Sequence, residues 1–425
     1  MLIPSIDISN GKVVQLRQGK ELVIVRDDPV NLMCEFSMYG EPTLIDLDAA
    51  RRIGSNKPLV KSLLKSRPGR VGGGIQDIET AKEFIEAGAS SIIVGTGVFK
   101  KKNSNNASEC YEVNLDFLSS LARAIGKQRI IIALDVRGDF VAVNGWTVDT
   151  GLSIFSLIRS LEPYTQGFLV TTIEYEGMMQ GTNVAMFQKL RALTSCNITA
   201  AGGIATLEEI QKLSAMKIDV QLGMAIYTGK LTLADAFIAS LNWKNELLPV
   251  IAQEEDGNVL MLGYTNQETL KESFVRKKLC FYSRSRQRLW MKGETSGNTL
   301  DLMQIRADCD RDTLLATTIP AGPVCHTGTT TCFGDGKFTL ETLQKIIYER
   351  FRNPTPNSYT ATLDDNRVRE KLMEEAEEVC EAVSKEEVIW EAADVLYFLL
   401  VLITRKDVSL KEVLQELARR KRSTR

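Results

Sequence analysis

At 425 residues the chain is too long for one ordinary domain, and roughly two to four are expected. A hydrophobic share of 44% with a charged share of 25% excludes a disordered chain, and a net charge of −2 argues against nucleic acid as a partner. The start, MLIPSIDISNGKVV, lacks the basic-then-apolar order of a secretory leader, and the apolar run VLYFLLVLI at 395–403 is too short to cross a bilayer. A cytoplasmic place is therefore expected, with no membrane partner. The eight cysteines should be thiols, and clustered ones suggest metal before disulfide.

Residues 1 to 241 alternate short apolar strands with amphipathic helical stretches. The strand candidates are LIPSID, PTLIDLD, GRVGGG, SIIVGTG, RIIIALDV, GFLVTTI, NITAAGG and DVQLGMA. Eight such strands over roughly 240 residues suit a (β/α)8 barrel, the TIM barrel. An internal repeat favours this over a doubly wound sheet. SIDISNGKVV from Ser5 is echoed by ALDVRGDFVAV from Ala133, which aligns Asp7 with Asp135. GGI at 73–75 recurs at 202–204, and VGTGVF from Val94 recurs as LGMAIY from Leu222. Each echo lies half a barrel away.

Asp7 and Asp135 thus end strands at two-fold-related points of the rim, where barrel active sites sit. Two carboxylates facing each other across a cavity can act as general acid and general base. The repeated glycines precede helices, so free backbone N–H groups would cradle a phosphate on each side. Gly74, Gly95, Thr96, Trp146, Gly203 and Gly223 are the expected substrate and phosphate contacts.

The stretches PSIDISNGKVVQLRQG, DLDAA, VGGGI, LDVRGDFVAVNGW, AGGI and GMAIYTGKL resemble the phosphoribosylformimino-aminoimidazole-carboxamide ribotide isomerase family of histidine biosynthesis. That resemblance implies an Amadori rearrangement of a bis-phosphorylated substrate, with Asp7 and Asp135 as acid and base. Three features depart from the family: Gln76 stands where arginine is usual, Glu176–Gly177 replaces an Asp–Gly pair, and residues 100–112 look like an insertion. Glutamine lacks arginine's charged fork.

From residue 242 to 336 the pattern becomes strand-rich, with β-prone runs at 258–264, 279–283 and 288–292 and a turn at Asp256–Gly257. Basic and aromatic residues interleave in FYSRSRQRLWMKG, which marks Arg284, Trp290 and Lys292 as contacts for a small phosphorylated substrate. Cys309, Cys325 and Cys332 form a thiolate trio suited to zinc, three ligands leaving a fourth position for water. Asp308, Asp310 and Asp312 share one side of an extended segment and suit magnesium. His326, the only histidine, follows a thiolate and could be a fourth ligand or a base.

VLMLGYTNQETL, FYSRSRQRLWMKGETSGN, DCDRD and GPVCHTGTTTCF resemble phosphoribosyl-AMP cyclohydrolase. The resemblance implies a small β-rich α+β zinc domain that opens the adenine ring. It further implies zinc held across a homodimer interface, magnesium on the aspartates, and a catalytic role for His326.

Residues 337 to 425 turn helical, with a capping-box pattern at Ser384 and Glu387. Glu374, Glu375 and Glu378 project from one helix, Glu391 and Asp394 from the next. The second pair sits in an apolar context, which calls for a counter-charge such as magnesium. NSYTATL, EEAEE, WEAADVLYFLLVL and ELARR resemble phosphoribosyl-ATP pyrophosphohydrolase, an all-α, MazG-like fold, although Phe398 stands where histidine is common. The expectation is a fusion using Zn2+ and Mg2+ on phosphoribosyl-nucleotide substrates. It would remove pyrophosphate, open the ring and isomerise the product. The rivals are a bifunctional hydrolase with a weak or structural barrel, and a metal-dependent nucleotide-binding regulator with no turnover.

Overall fold

The computed structural model describes residues 1–102, 110–334, 338–354 and 358–423. The chain divides into two compact units, Met1–Gly334 and Asp335–Arg425. The boundary expected after residue 336, and residues 103–109 of the expected insertion, lie outside the described residues. The flanks of that insertion, Phe99–Lys101 and Tyr111–Val113, pair as antiparallel strands.

Eight parallel strands close the barrel: β1 (Leu2–Ser9), β2 (Thr43–Asp46), β3 (Gly69–Gly72), β4 (Ala89–Val94), β5 (Ile130–Arg137), β6 (Gly167–Thr172), β7 (Asn197–Ala201) and β8 (Asp219–Leu222). Each pairs with the next, and β8 returns to β1. Ile93, Ile131, Leu169 and Ala201 fill the interior, while a larger apolar cluster joins strands to the surrounding helices. All eight strand candidates carry a barrel strand. The alternation of apolar strand and amphipathic helix fits helices packing on one closed sheet.

The repeat extends to register. β1 and β5 each run into an antiparallel return strand, opposing Asp7 to Val14 and Asp135 to Ala142. Gly73 and Gly202 have φ of 100° and 97°, and Gly74 and Gly203 have 69° and 78°. A Cβ on Gly73 would lie 2.2 Å from the Asp46 carbonyl oxygen, and one on Gly203 would lie 2.2 Å from that of Gly181. Only glycine permits both the backbone angle and the approach.

Within the same unit, Leu248–Gln253, Val259–Thr265, Leu300–Ala307 and Leu314–Pro320 form a four-stranded sheet. A helix, Gln267–Arg276, and the hairpin Cys280–Ser283/Arg288–Met291 complete this region. It packs on the barrel through Tyr39, Phe237 and Phe274, with Tyr39 and Phe274 ring centroids 4.4 Å apart. Strand Leu300–Ala307 also reaches the barrel, where the Gln304 amide donates to the Ser37 carbonyl at 2.8 Å.

The second unit is helical: Leu340–Arg352, Tyr359–Thr362, Asp365–Glu381, Lys385–Arg405 and Leu410–Ser423. Ile347, Leu363, Val368, Phe398, Leu400, Val401 and Leu410 make its core. Ser384 and Glu387 form the expected capping box. Among the described residues no helix is long and apolar enough to cross a membrane.

Candidate active sites

At the end of the barrel where the strands finish, a cavity of about 230 Å³ opens. Asp7, Gly74, Gly95, Thr96, Asp135, Trp146, Gly203 and Gly223 all line it, as does Gln76. Asp7 accepts from the Ser5 hydroxyl at 2.7 Å, and loss of water pushes its carboxyl up to about 6. Burial also raises Asp135, against hydrogen bonds from Thr171 and Trp146.

The cavity holds a third carboxylate, one that motif comparison marks only as a departure. Glu176 is pushed up to about 8, first by burial and then by the charges of Asp7 and Asp135. Its loop is tied down by the Gln18 amide, which donates to the Glu176 carbonyl at 2.9 Å. Gly177, with φ 72°, packs against Leu16 and Arg17 so closely that a Cβ would lie 2.5 Å from the Leu16 carbonyl oxygen. An acid–glycine pair one 3-10 turn beyond the end of β6 was the available signal. Beside Gln76 stands a cation: Arg52 Nη2 donates to its side-chain oxygen at 3.2 Å.

In the sheet region, Asp308, Asp310 and Asp312 bring carboxylate oxygens within 4.8 Å of one another. Such a compact set of hard oxygens fits a divalent cation of the magnesium type. Cys325 lies in a turn where the Thr327 hydroxyl donates to its sulfur at 3.1 Å, and bonds from Thr327 and Thr329 hold its thiol down at about 6. Cys332 is next to it; desolvation and the neighbouring Cys325 push the Cys332 thiol up. One thiol poised to ionise beside a second fits a soft metal such as zinc. Cys309 joins no group of three ligand atoms with these two among the described residues. His326 is exposed, its Nδ1 3.9 Å from the Cys325 sulfur.

The hairpin residues part company. Arg284 lies exposed with its guanidinium 3.9 Å from the Tyr264 ring centroid, and Trp290 packs on Phe281 at 6.0 Å. Lys292 is buried, and its ammonium is lowered by desolvation against the pull of Cys332 and Cys325. It faces the thiols.

In the helical unit Glu375, Glu378 and Glu391 gather oxygens within 4.8 Å, and Glu375 is buried. Glu374 and Asp394 stand outside that group, Glu374 turning to Lys371 Nζ at 2.8 Å. Three carboxylates from two facing helices repel, and Lys371 Nζ, 3.4 Å from Glu375 Oε1, offsets only part of that charge. Phe398 is a core residue, packed edge-on to Tyr397 with centroids 5.2 Å apart.

Comparison with known proteins matches the histidine biosynthesis protein family over residues 1–232, phosphoribosyl-AMP cyclohydrolase over 261–334 and phosphoribosyl-ATP pyrophosphohydrolase over 340–421. The histidine biosynthesis bifunctional protein HisIE of Pyrococcus furiosus is 40% identical over 206 residues, 44% of this chain and 99% of that protein. Its counterpart from Bacteroides thetaiotaomicron is 43% identical over 191 residues, 42% of this chain and 94% of that protein. The chain belongs to the histidine biosynthesis protein family, its barrel followed by regions of cyclohydrolase and pyrophosphohydrolase type.

Proposed function

We propose that this chain performs three steps of histidine biosynthesis: removal of pyrophosphate from phosphoribosyl-ATP, opening of the adenine ring of phosphoribosyl-AMP, and isomerisation of the product. The domains are residues 1–241, 242–336 and 337–425, in reverse order of the chemistry. The reactions belong in the cytoplasm, where thiols stay reduced.

The helical unit takes the first step. Glu375, Glu378 and Glu391 would hold magnesium, which supplies charge neutralisation for the leaving pyrophosphate; Asp394 is near enough in sequence to serve a second ion. Ring opening falls to the sheet region. Cys325, Cys332 and Cys309 would hold zinc, whose Lewis acidity makes water a better nucleophile near neutrality. His326, exposed beside Cys325, takes a proton from the water that adds to adenine C6 and gives it to ring N1 as the N1–C6 bond breaks. Asp308, Asp310 and Asp312 would hold magnesium against the substrate phosphate, with Arg284 and Trp290 facing the nucleotide. Cys309 would come from a second copy of the chain, which makes the protein a homodimer.

The isomerase reading rests on one observation, the three carboxylates in one cavity between two matching glycine turns. Asp7, ionised above about pH 6, is matched to removing a carbon-bound proton. The acid that opens the sugar ring comes from Asp135 or Glu176, and Glu176, protonated up to about pH 8, is the better donor. Glycine N–H groups on opposite sides take the two phosphates. Arg52, hydrogen-bonded to Gln76, sets a positive charge beside the position where the resembled family has arginine.

The test is isomerase turnover by the whole chain with the bis-phosphorylated aminoaldose. We expect product at a rate that chelators leave unchanged, falling at least about two decades in Asp7→Asn and Asp135→Asn. Binding without product would make the barrel a relic, and no binding would favour the rival bifunctional hydrolase with a structural barrel.

A further inference from the structure

We propose that Arg311 is a positioning residue for ring opening, anchored in the barrel so that the three neighbouring aspartates stay in place and free of its charge. The inference rests on the reading of Asp308, Asp310 and Asp312 as a metal site, and concerns what holds that site together. Residues 308–310 of this loop are exposed, yet Arg311 in the middle is 7% exposed. What covers it is the barrel at the end where the strands begin. Its Nη2 donates to Asp219 Oδ1 at 2.9 Å and to the Ile218 carbonyl at 3.3 Å, while Nη1 reaches the Ser214 carbonyl at 3.5 Å.

The backbone is built around that insertion. Arg311 has φ 66°, a left-handed conformation that a long side chain keeps only when its surroundings over-determine it. The turn is closed from within, because Asp308 Oδ1 accepts from the amides of Asp312 at 3.1 Å and Thr313 at 3.2 Å. It is also tied to the connection from the barrel: the Asn242 amide donates to the Arg311 carbonyl at 2.8 Å, and its side chain to the Asp310 carbonyl at 3.2 Å. A guanidinium beside three carboxylates would ordinarily pair with them and compete with a cation. Here Asp219, itself met by the Met1 amino group, takes it instead. Asp219 is therefore part of the ring-opening machinery at one remove, although it lies in the barrel.

The experiment measures Mn2+ binding by electron paramagnetic resonance on the whole zinc-loaded chain, with Glu391→Gln present throughout to silence the helical cluster. Half-saturating Mg2+ for ring opening is measured in parallel. Arg311→Met and Asp219→Asn should each weaken Mn2+ and raise half-saturating Mg2+ by about ten- to a hundred-fold, as loss of a partner that orients metal ligands does. The rate at saturating Mg2+ should change far less, and Arg311→Lys should recover part of the loss. A purely structural residue would lower the melting temperature and leave cation affinity alone.

If the loop held its shape without the barrel, deleting a positive charge beside three carboxylates would tighten Mn2+ binding. Unchanged or tighter binding in Arg311→Met, beside weakened binding in Asp310→Asn, overturns the proposal alone. Unchanged binding in Asp310→Asn as well overturns the metal reading and this inference with it. Should Arg311→Met not fold, Asp219→Asn tests the same contact from the barrel side, and wild-type affinity there is equally fatal.

Discussion

The barrel carboxylates behave differently because their surroundings differ, and that difference predicts a pH profile. Asp7 must be ionised to act as base and sits at about 6; Glu176 must be protonated to act as acid and sits at about 8. Isomerase kcat/KM should therefore be bell-shaped with limbs near those values and a maximum near pH 7. In Glu176→Gln the alkaline limb should vanish with the rate; an unchanged alkaline limb would remove Glu176 from the reaction. Stability moves with the same group. A carboxyl whose folded pKa is raised contributes stability below its ordinary 4.5 and loses it as pH rises through about 8. Glu176→Gln should accordingly melt higher than the parent at pH 8 and show little gain at pH 4. The two repeat aspartates were legible in the sequence because strand and turn carry them locally. Glu176 was legible only as a departure from the family's Asp–Gly pair, since what aims it into the cavity is the contact of its loop with Gln18 and with Leu16–Arg17, far away in the chain. No local pattern encodes that contact. The thiols behave likewise: the short span that placed Cys325 beside His326 was readable, whereas the pairing of Lys292 with Cys325 and Cys332 depends on how the hairpin folds back.

At the level of elements, paired structures put ligands opposite one another, and each pairing can be broken separately. Asp365–Glu381 and Lys385–Arg405 pack side by side, which brings Glu391 to Glu375 and Glu378. Glu391→Gln should abolish pyrophosphohydrolysis and leave ring opening intact, measured on phosphoribosyl-ATP and phosphoribosyl-AMP separately. Loss of both would mean that the helical unit supports the other site. Helical periodicity told which residues share a face, but not that Glu374 would turn to Lys371, because both positions satisfy the same spacing. Phe398 shows the converse: a position that motif comparison treats as chemical is occupied here by a core side chain. The glycine turns are the strictest elements. Gly73→Ala forces a Cβ against the Asp46 backbone at a positive φ and should cost about 1–3 kcal/mol or more in urea unfolding of the barrel. Gly138→Ala, also at positive φ but with nothing within 4 Å, carries only the backbone strain and should cost less.

At the scale of the molecule, the 308–312 loop meets the barrel where its strands begin, while the cavity of the three carboxylates lies where they finish. On the proposed reading, a product released beside that loop would leave the chain before it reaches the cavity, unless a second copy shortens the path. The thiols supply an independent reason to expect that copy. Cys325 and Cys332 adjoin within one chain, yet Cys309 does not join them. If zinc is shared between subunits, the site needs Cys309 from one chain and the other two from its partner. Cys309→Ser and Cys325→Ser should each abolish ring opening alone and spare pyrophosphohydrolysis. Mixed as equal amounts and allowed to exchange, half of the dimers are hybrids under two-fold symmetry, and each hybrid carries one site with all three thiols intact. About a quarter of wild-type activity should then return. His326→Ala differs in kind: it should keep its zinc and lose about two to four decades in ring opening, as a proton carrier would. No recovery on mixing, in chains shown by light scattering to have exchanged, would place all three thiols in one subunit and require the 308–313 loop to move toward Cys325.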